Sequence, residues 1–288
     1  MKTFFCAVIT VWALTAPYAL KAQYSENLAS DRPGATYSAN TVGQWVFQVQ
    51  TGADVGRVTY TELGFKNELN ESLDAKIWVE SFSTATDLRI GVYKTAEVGF
   101  TLLSRTQRQE NDLKAEDLLY SVGGEPVYAY VPSLRVSVIN NKQFQLGLMT
   151  SFLYDEDEDG AGIGRIMGSY ALSSKTAISA NISYTTYSNS TTPDFLGYTL
   201  NFSQAIGAFS VFVENYGSFI IRTKEDPFDN DFDFFFNAGA AYLLNPNFQL
   251  DVTFNGGINQ TLFFSPDARA QQLGASLGLT WRLAPFRD

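Results

Sequence analysis

The feature that most constrains this chain is a strict alternation of apolar and polar residues near its C-terminal end. Residues 248–257 read FQLDVTFNGG, and residues 272–283 repeat the pattern with Leu277, Leu279 and Trp281 on the apolar face. A period of two is typical of a β-strand with one apolar and one polar face. A soluble sheet also alternates, so the pattern by itself does not identify what surrounds the sheet.

The N-terminal residues indicate export. Lys2 precedes an apolar run over residues 3–20, and Lys21 and Ala22 follow it. This order is typical of a secretory signal peptide, and we expect residues 1–22 to be cleaved off. Export and recurring alternation together predict an all-β fold: an antiparallel transmembrane β-barrel in the outer membrane of a Gram-negative cell. Its expected partners are outer-membrane lipid, a small-molecule solute and, during biogenesis, the barrel-assembly machinery.

The composition excludes several classes of function. The sequence has no histidine, and its one cysteine, Cys6, lies in the signal peptide. The expected mature chain therefore lacks the usual nucleophile–base pairs, and we expect neither an enzyme nor a cofactor. The formal charge of -10 becomes -12 when Lys2 and Lys21 are removed (-10 - 2). An acidic chain repels phosphate, so we expect no nucleic-acid partner.

The chain divides into a leader, a lead-in, a barrel and a tail. After residues 1–22, residues 23–43 form an extended periplasmic lead-in that is either flexible or tucked into the barrel. Residues 44–283 form the barrel, with about 14 strands and 12 as the alternative. Residues 284–288 form a short tail.

Loop lengths predict the orientation. Five tight turns, at Lys94-Thr95, 140–141, 173–174, 205–207 and 245–247, alternate with longer loops, and 70–72 is a further tight turn. Short periplasmic turns and long extracellular loops are typical of outer-membrane barrels, so both termini are expected in the periplasm. The predicted strands 44–53 and 58–69, and likewise 73–82 and 87–93, are separated by short connections that fit this scheme less well.

A barrel must close, so the first strand is expected to pair with the last. Trp45 and Trp281 would then lie at the same depth, where an aromatic girdle is expected. For either tryptophan alone, an ordinary core position explains the residue equally well.

The sequence resembles a known family in several stretches. DRPGATYSANTVGQWVFQVQTG (31–52), FVENYG (212–217), AGAAYLLNPNFQLDVTFNGGIN (238–259) and GASLGLTWRL (274–283) are similar to the outer-membrane transporters of the meta-pathway phenol-degradation family. Gln50 stands where we expect an acidic residue in this family. The resemblance implies a barrel that transports small aromatic compounds.

The polar faces of the predicted strands carry charges of both signs, which we expect to line the lumen. These residues are Glu62, Lys66, Glu68, Asp74, Lys76, Glu80, Asp87, Arg89, Glu97, Arg105, Arg135, Glu214, Asp251 and Arg282. One interpretation is a polar pore that acts as a passive channel for small solutes. The alternative is a structural or adhesive barrel whose lumen is closed by its own ion pairs and which works through its acidic extracellular loops.

Two further motifs indicate a contact within the barrel and a candidate metal-binding loop. Asp31, Arg32 and Pro33 precede the first strand, and we expect this segment to enter the periplasmic mouth, with Arg32 bonded to Glu214 or Asp251. Asp155, Asp157 and Asp159 begin like a calcium loop, but the twelfth position is occupied by an isoleucine instead of the bidentate glutamate. A solvated acidic loop is therefore the default interpretation, and we expect no metal site.

Overall fold

The computed structural model of the protein describes residues 28, 30–31, 34–66, 72–112, 121–155, 160–188, 192–222, 232–259 and 269–283. Within these residues, thirteen strands form one antiparallel sheet. They are β1 (Phe47–Lys66), β2 (Ser72–Tyr93), β3 (Ala96–Asp112), β4 (Ser121–Gly123), β5 (Val127–Asn140), β6 (Phe144–Asp155), β7 (Ala161–Ala171), β8 (Thr176–Tyr187), β9 (Asp194–Ile206), β10 (Phe209–Arg222), β11 (Phe232–Asn245), β12 (Phe248–Asn259) and β13 (Arg269–Leu283).

The sheet closes on itself. β1 pairs with β13 from Phe47 opposite Leu283 to Thr61 opposite Arg269, as the closure argument predicts. β4 pairs only with residues 108–110 near the C-terminal end of β3, so the described barrel wall consists of the other 12 strands. No helix in these ranges is long and apolar enough to cross a membrane.

The barrel has 12 strands instead of about 14 because two predicted pairs are single strands. The described strand residues of the predicted segments 44–53 and 58–69 belong to the single strand β1, and 73–82 and 87–93 both fall within β2. Backbone pairing continues through the interruptions, where Asp54 lies opposite Ser83 and Gly56 opposite Ser81. A break in the apolar pattern is therefore not a break in the strand.

Because β1 and β2 are each one continuous strand, the predicted position of the turn at residues 70–72 is also corrected. Lys66 at the end of β1 pairs with Ser72 at the start of β2, at the barrel end opposite Lys94-Thr95. The connection assigned to the periplasm, at 70–72, therefore joins strands at the end that carries the longer loops; residues 70 and 71 themselves lie outside the described residues. We call the other end, with residues 94–95, 141–143, 172–175, 207–208 and 246–247, the tight-turn end.

The two faces of the wall differ as the alternation predicts. On β13, Leu273 and Leu277 are 71% and 67% exposed, whereas Ser276 and Thr280 are 6% and 0% exposed. Over residues 272–283 of β13, the large apolar residues therefore point outward, and the polar residues point into the lumen. Near the tight-turn end the outer face carries exposed aromatic side chains: Tyr93, Phe144, Tyr170, Phe209, Tyr242 and Trp281.

The two tryptophans do not lie at one level. Trp281 pairs with Val49, four positions along the chain from Trp45. Trp45 precedes β1 with a positive φ of 59°, and its side chain is 61% exposed. Four residues of strand correspond to about 13 Å, so the predicted equal depth is wrong, although both residues are exposed toward the tight-turn end.

Candidate functional site: the lumen and the inserted segment

The described part of the lead-in lies inside the barrel. We call Leu28, Ser30, Asp31 and residues 34–46 the inserted segment. Its C-terminal end runs along β2, where the backbone N–H of Trp45 donates to Gly91 O at 2.7 Å and Gly91 N–H donates to Val46 O at 3.0 Å. A Cβ at Gly91 would lie 1.6 Å from the carbonyl oxygen of Gly43, so only glycine allows this approach.

Buried ion pairs hold the base of the inserted segment. Arg135 of β5 donates two parallel hydrogen bonds to Asp31, at 3.0 Å and 2.5 Å. Arg89 of β2 lies 3.3 Å from the same carboxylate and donates to Glu97 of β3 at 2.8 Å and 3.0 Å. All four side chains are less than a tenth exposed. Two cations and two carboxylates therefore balance in one network, of which only Asp31 belongs to the segment.

Asp31 also closes a loop. It accepts a hydrogen bond from the backbone N–H of Ser38 at 2.8 Å, so residues 31 and 38 lie together. The Arg135 guanidinium bonds the carbonyl oxygen of Ser38 at 3.0 Å as well. Burial alone would raise the pKa of Asp31, but the charges of Arg135 and Arg89 hold it below its usual range. Asp31 is therefore held as a carboxylate.

Glu214 of β10 binds the tip of this loop on the opposite wall. Its carboxylate accepts hydrogen bonds from the backbone N–H groups of Ala35 at 2.6 Å and Thr36 at 2.8 Å, and from the Thr36 hydroxyl. Gly34 precedes them with a φ of +100°, a conformation that favours glycine. Consecutive N–H groups that converge after such a residue form an anion-binding nest. The Glu214 carboxylate fills it.

The middle of the segment packs on an apolar cluster. Ala39, Met149 and Met167 are buried together, and Tyr37 packs against them. The Arg165 guanidinium of β7 stacks on the Tyr37 ring, 3.8 Å from its centroid. Cation–π stacking of this kind holds a planar guanidinium in place while its edge remains available for hydrogen bonds.

A cavity of about 300 Å³ lies beside the inserted segment toward the tight-turn end. One part of its wall is apolar and includes Leu28, Tyr37 and Phe212. The other part is polar and uncharged; it consists of Ser169, Ser179, Ser203, Ser210, Asn201, Gln145 and Gln249. The lumen on this side of the segment is therefore an amphipathic vestibule.

Most described charged residues of the predicted set face inward, on the side of the wall that carries the inserted segment. These are Asp87, Arg89, Glu97, Arg105, Arg135, Glu214, Asp251 and Arg282. Arg282 bonds the turn after β11, donating to the Asn247 side chain at 3.2 Å and to Pro246 O at 3.0 Å. Asp87 accepts from the Thr101 hydroxyl at 3.0 Å.

Glu80 was predicted wrongly. It shares a face of β2 with Phe82 and Ile90, which are exposed, and lies opposite Arg57, with which it forms an exposed ion pair. Glu80 therefore points away from the lumen. Since β1 and β2 have 20 and 22 residues and about 9–11 suffice to cross a bilayer, this part of the strands extends past the membrane and the charges need not meet lipid.

Several other predictions fall outside the described structure. The side chains of Glu62, Lys66, Asp74 and Lys76 are not described, and Glu68, Arg32, Pro33, Asp157 and Asp159 lie outside the described residues. Asp155 ends β6. Within the described ranges, no group of three potential metal ligands lies together.

The sequence did not single out Tyr37, Arg165, Asn201 or Asn237. Asn237 donates to Glu214 at 2.9 Å and Asn201 at 3.4 Å, so both amides help to hold the carboxylate. Both asparagines occupy inward positions of β9 and β11, and an uncharged inward residue looks like any other polar position of the alternation. The signal that could have drawn attention to the segment is Gly34 directly after the Asp31 motif.

The chain is similar to a known protein family in sequence and to known outer-membrane barrels in structure. A family model described as "Putative MetA-pathway of phenol degradation" matches residues 154–279. The predicted family resemblance is confirmed. No curated protein matches the chain in sequence.

Solved structures share the fold. An outer membrane channel from Pseudomonas putida F1 superposes with a TM-score of 0.58 at 13% identity, covering 88% of this chain and 99% of that one. The NanC porin superposes with a TM-score of 0.50 at 7% identity, covering 80% of this chain and all of that one (100%). At these identities the likeness establishes the outer-membrane barrel fold.

Proposed function

We propose that the protein is an outer-membrane channel for the passive passage of small solutes, including small aromatic compounds. The observation that carries this proposal is that a discrete segment occupies the lumen, held at its base by Asp31 and at its tip by Glu214. Barrels of eight strands are filled by their own side chains, whereas barrels of 16 or more enclose channels. A barrel of 12 strands lies between these sizes, and the segment narrows the space that its wall encloses.

Three further observations support the proposal. The vestibule of about 300 Å³ combines an apolar and an uncharged polar wall, which suits small molecules that are themselves amphipathic. The matching family model is described by phenol degradation, and the similar P. putida protein is an outer membrane channel. The outer face would contact outer-membrane lipid, and residues 1–22 would direct export.

A closed structural barrel is the second candidate. The network around Asp31 joins two arginines and two carboxyl side chains, all buried, and it holds the segment across the lumen in the manner of a permanent plug. Such a barrel would act through its loops instead of its lumen.

Conductance distinguishes the two. Purified protein in planar bilayers should carry ions, and deletion of residues 29–40 should raise the conductance because the segment then no longer narrows the lumen. Liposomes containing the protein should take up small solutes faster than protein-free liposomes. Folded protein that neither conducts nor transports, with or without the deletion, would contradict the channel and support the closed barrel.

The orientation is tested separately. Single cysteines at Asp157 and at Asn247 should label differently in intact cells, with an impermeant thiol reagent reaching only the first. Labelling at Asn247 but not at Asp157 would reverse the proposed orientation, whatever the conductance.

A further inference from the structure

The three arginines nearest the inserted segment differ in what they bind. Arg89 and Arg135 are at most 2% exposed and are occupied by Asp31, Glu97 and backbone carbonyl oxygens. Their charges are balanced within that network, so both are structural. Arg165 is only partly buried, and its described contacts are the Tyr37 ring and the Met149 sulfur instead of carboxylates.

Among the described residues, the contacts of the Arg165 guanidinium involve few of its hydrogen-bond donors. Its guanidinium stacks on Tyr37, and one nitrogen lies 3.5 Å from the sulfur of Met149, a weak acceptor. A guanidinium has five N–H donors. In the part of the chain that the structure describes, Arg165 has no carboxylate partner.

The surroundings of Arg165 provide hydroxyl and thioether groups instead of carboxylates. Its register partners on the adjacent strands are Ser183 of β8 and Met149 of β6. The inward carboxylates nearest to the segment are already engaged: Asp31 and Glu97 by arginines, and Glu214 by the nest. The positive charge of Arg165 is therefore uncompensated by its described neighbours.

The position of Arg165 lies on the path that a solute would follow. Along β7 the inward residues run from Ser169, which lines the vestibule, through Met167, which packs under the segment, to Arg165. Arg165 therefore lies on the loop side of Tyr37, with the vestibule on the other side. A solute entering from the loop end reaches Arg165 before it passes Tyr37.

We infer that Arg165, held flat by Tyr37, is a solute-recognition residue that binds the carboxylate of small organic anions during passage. A guanidinium edge matches a carboxylate through two parallel hydrogen bonds, and its stacked face is already fixed, so little ordering is needed on binding. A weak site of this kind favours passage because it draws the ion in without retaining it. The inference rests on the proposed channel function and adds the solute class.

The test compares two solutes of the same shape that differ in charge. The full chain is reconstituted in liposomes at neutral pH, and initial uptake of benzoate and of benzamide is measured above protein-free liposomes. Because Arg165 is partly exposed, we expect Arg165→Gln to lower the benzoate-to-benzamide ratio about fivefold. Benzamide uptake should change little. Arg165→Lys keeps the charge without the planar stack, and should lower the ratio less.

Arg105→Gln is the matched control. Arg105 is also an inward arginine, but it is exposed and lies on β3, away from Tyr37. The ratio should stay near that of the wild type in this variant. An equal fall in both variants would assign the effect to the general charge of the lumen and overturn the inference.

The two proposals fail in distinguishable ways. Uptake of benzamide with a ratio unchanged by Arg165→Gln would refute the role of Arg165 and leave the channel intact. Absence of uptake of both solutes in the wild type would contradict the channel itself. If Arg165→Gln fails to assemble, as judged by heat-modifiable migration, the ratio in Arg165→Lys decides, and a ratio equal to the wild type would then refute the recognition by the planar guanidinium.

Discussion

Replacing Glu214 with glutamine should release the tip of the inserted segment and raise the conductance of the channel. Glutamine keeps the volume of the side chain but replaces one acceptor oxygen with an NH₂ group. Each carboxylate oxygen of Glu214 accepts hydrogen bonds: one from Ala35 N–H and Asn237 Nδ2, and the other from both donors of Thr36 and from Asn201 Nδ2. Either orientation of the amide therefore brings its NH₂ against donors.

The cost follows from the number of buried donors left without an acceptor. Each costs about 1–3 kcal/mol, and each carboxylate oxygen of Glu214 serves at least two donors, so the loss of two hydrogen bonds should destabilise the tip by about 2–6 kcal/mol. Asp31 still holds the base through its bidentate contact with Arg135. The expected state is a segment attached at residues 31 and 38 whose tip, residues 34–36, no longer crosses to β10.

Single-channel conductance measures this release. Glu214→Gln should conduct more than the wild type and no more than the variant that lacks residues 29–40. In the deletion background, Glu214→Gln should have little further effect, because the group it binds has been removed. Glu125→Gln makes the same chemical change at an exposed position between β4 and β5 and should leave the conductance unchanged.

Two results would refute the reasoning. If the deletion raises the conductance and Glu214→Gln does not, the nest is not what holds the tip. If Glu214→Gln raises the conductance equally with and without residues 29–40, Glu214 acts on the passing ions through its charge instead of through the segment.

Further predictions concern the lipid-facing side of β13, the carboxylate of Asp31 and the glycines of the barrel wall. Leu277→Arg should destabilise the barrel by about 2–4 kcal/mol, because it places a charge against lipid, and should therefore lower the folded fraction in heat-modifiability assays. Thr185→Arg, at an inward and half-buried position, should assemble. The lowered pKa of Asp31 means that its contribution is complete above the usual aspartate range and is lost as the pH falls through the lowered value; conductance should therefore rise in acid, and Asp31→Asn should remove that pH dependence. Gly91→Ala should impair assembly or docking, measured by protease protection, whereas Gly164→Ala, with open space around its Cβ, should not.

The faces of the membrane-spanning strands could be predicted because alternation is a local property. An outward residue that meets lipid must stay apolar, and over residues 272–283 of β13 the outward Leu277 and the inward Ser276 follow this rule. The rule failed at Glu80 for a physical reason. Beyond the bilayer, water replaces lipid, and an outward charge is no longer penalised, so polarity ceases to identify the inner face.

The same failure shows why the strand number was overestimated. Asp87 and Glu80 were both expected in the lumen, although one lies at an odd and the other at an even position. Both can point inward only on separate strands. Because β2 is continuous over 22 residues, a single alternation governs it, and one of the two had to be outward. The conflict between the two positions was visible in the sequence.

The contacts of the inserted segment could not be read from the sequence, because its partners are remote. Asp31 and Arg135 are 104 residues apart, and Ala35 and Glu214 are 179 apart. The alternation correctly marks Arg135 and Glu214 as inward, but any inward carboxylate could have received the segment. We expected Arg32 to bind Glu214 or Asp251, but Arg32 lies outside the described residues. The described partners of Glu214 are backbone N–H groups, the Thr36 hydroxyl and two asparagine amides.

The barrel wall accommodates the inserted segment through glycines that leave room for its backbone, in addition to the charged residues that bind it. A Cβ at Gly91 would lie 1.6 Å from Gly43 O, and one at Gly147 would lie 2.7 Å from Ala39 O. Both glycines occupy inward positions, where a polar residue would equally satisfy the alternation. Periodicity therefore cannot distinguish a glycine that admits a backbone from one that merely faces water. The charge pairs fix where the segment attaches, but these two glycines determine how closely its backbone can follow the wall, and hence how much of the lumen remains open.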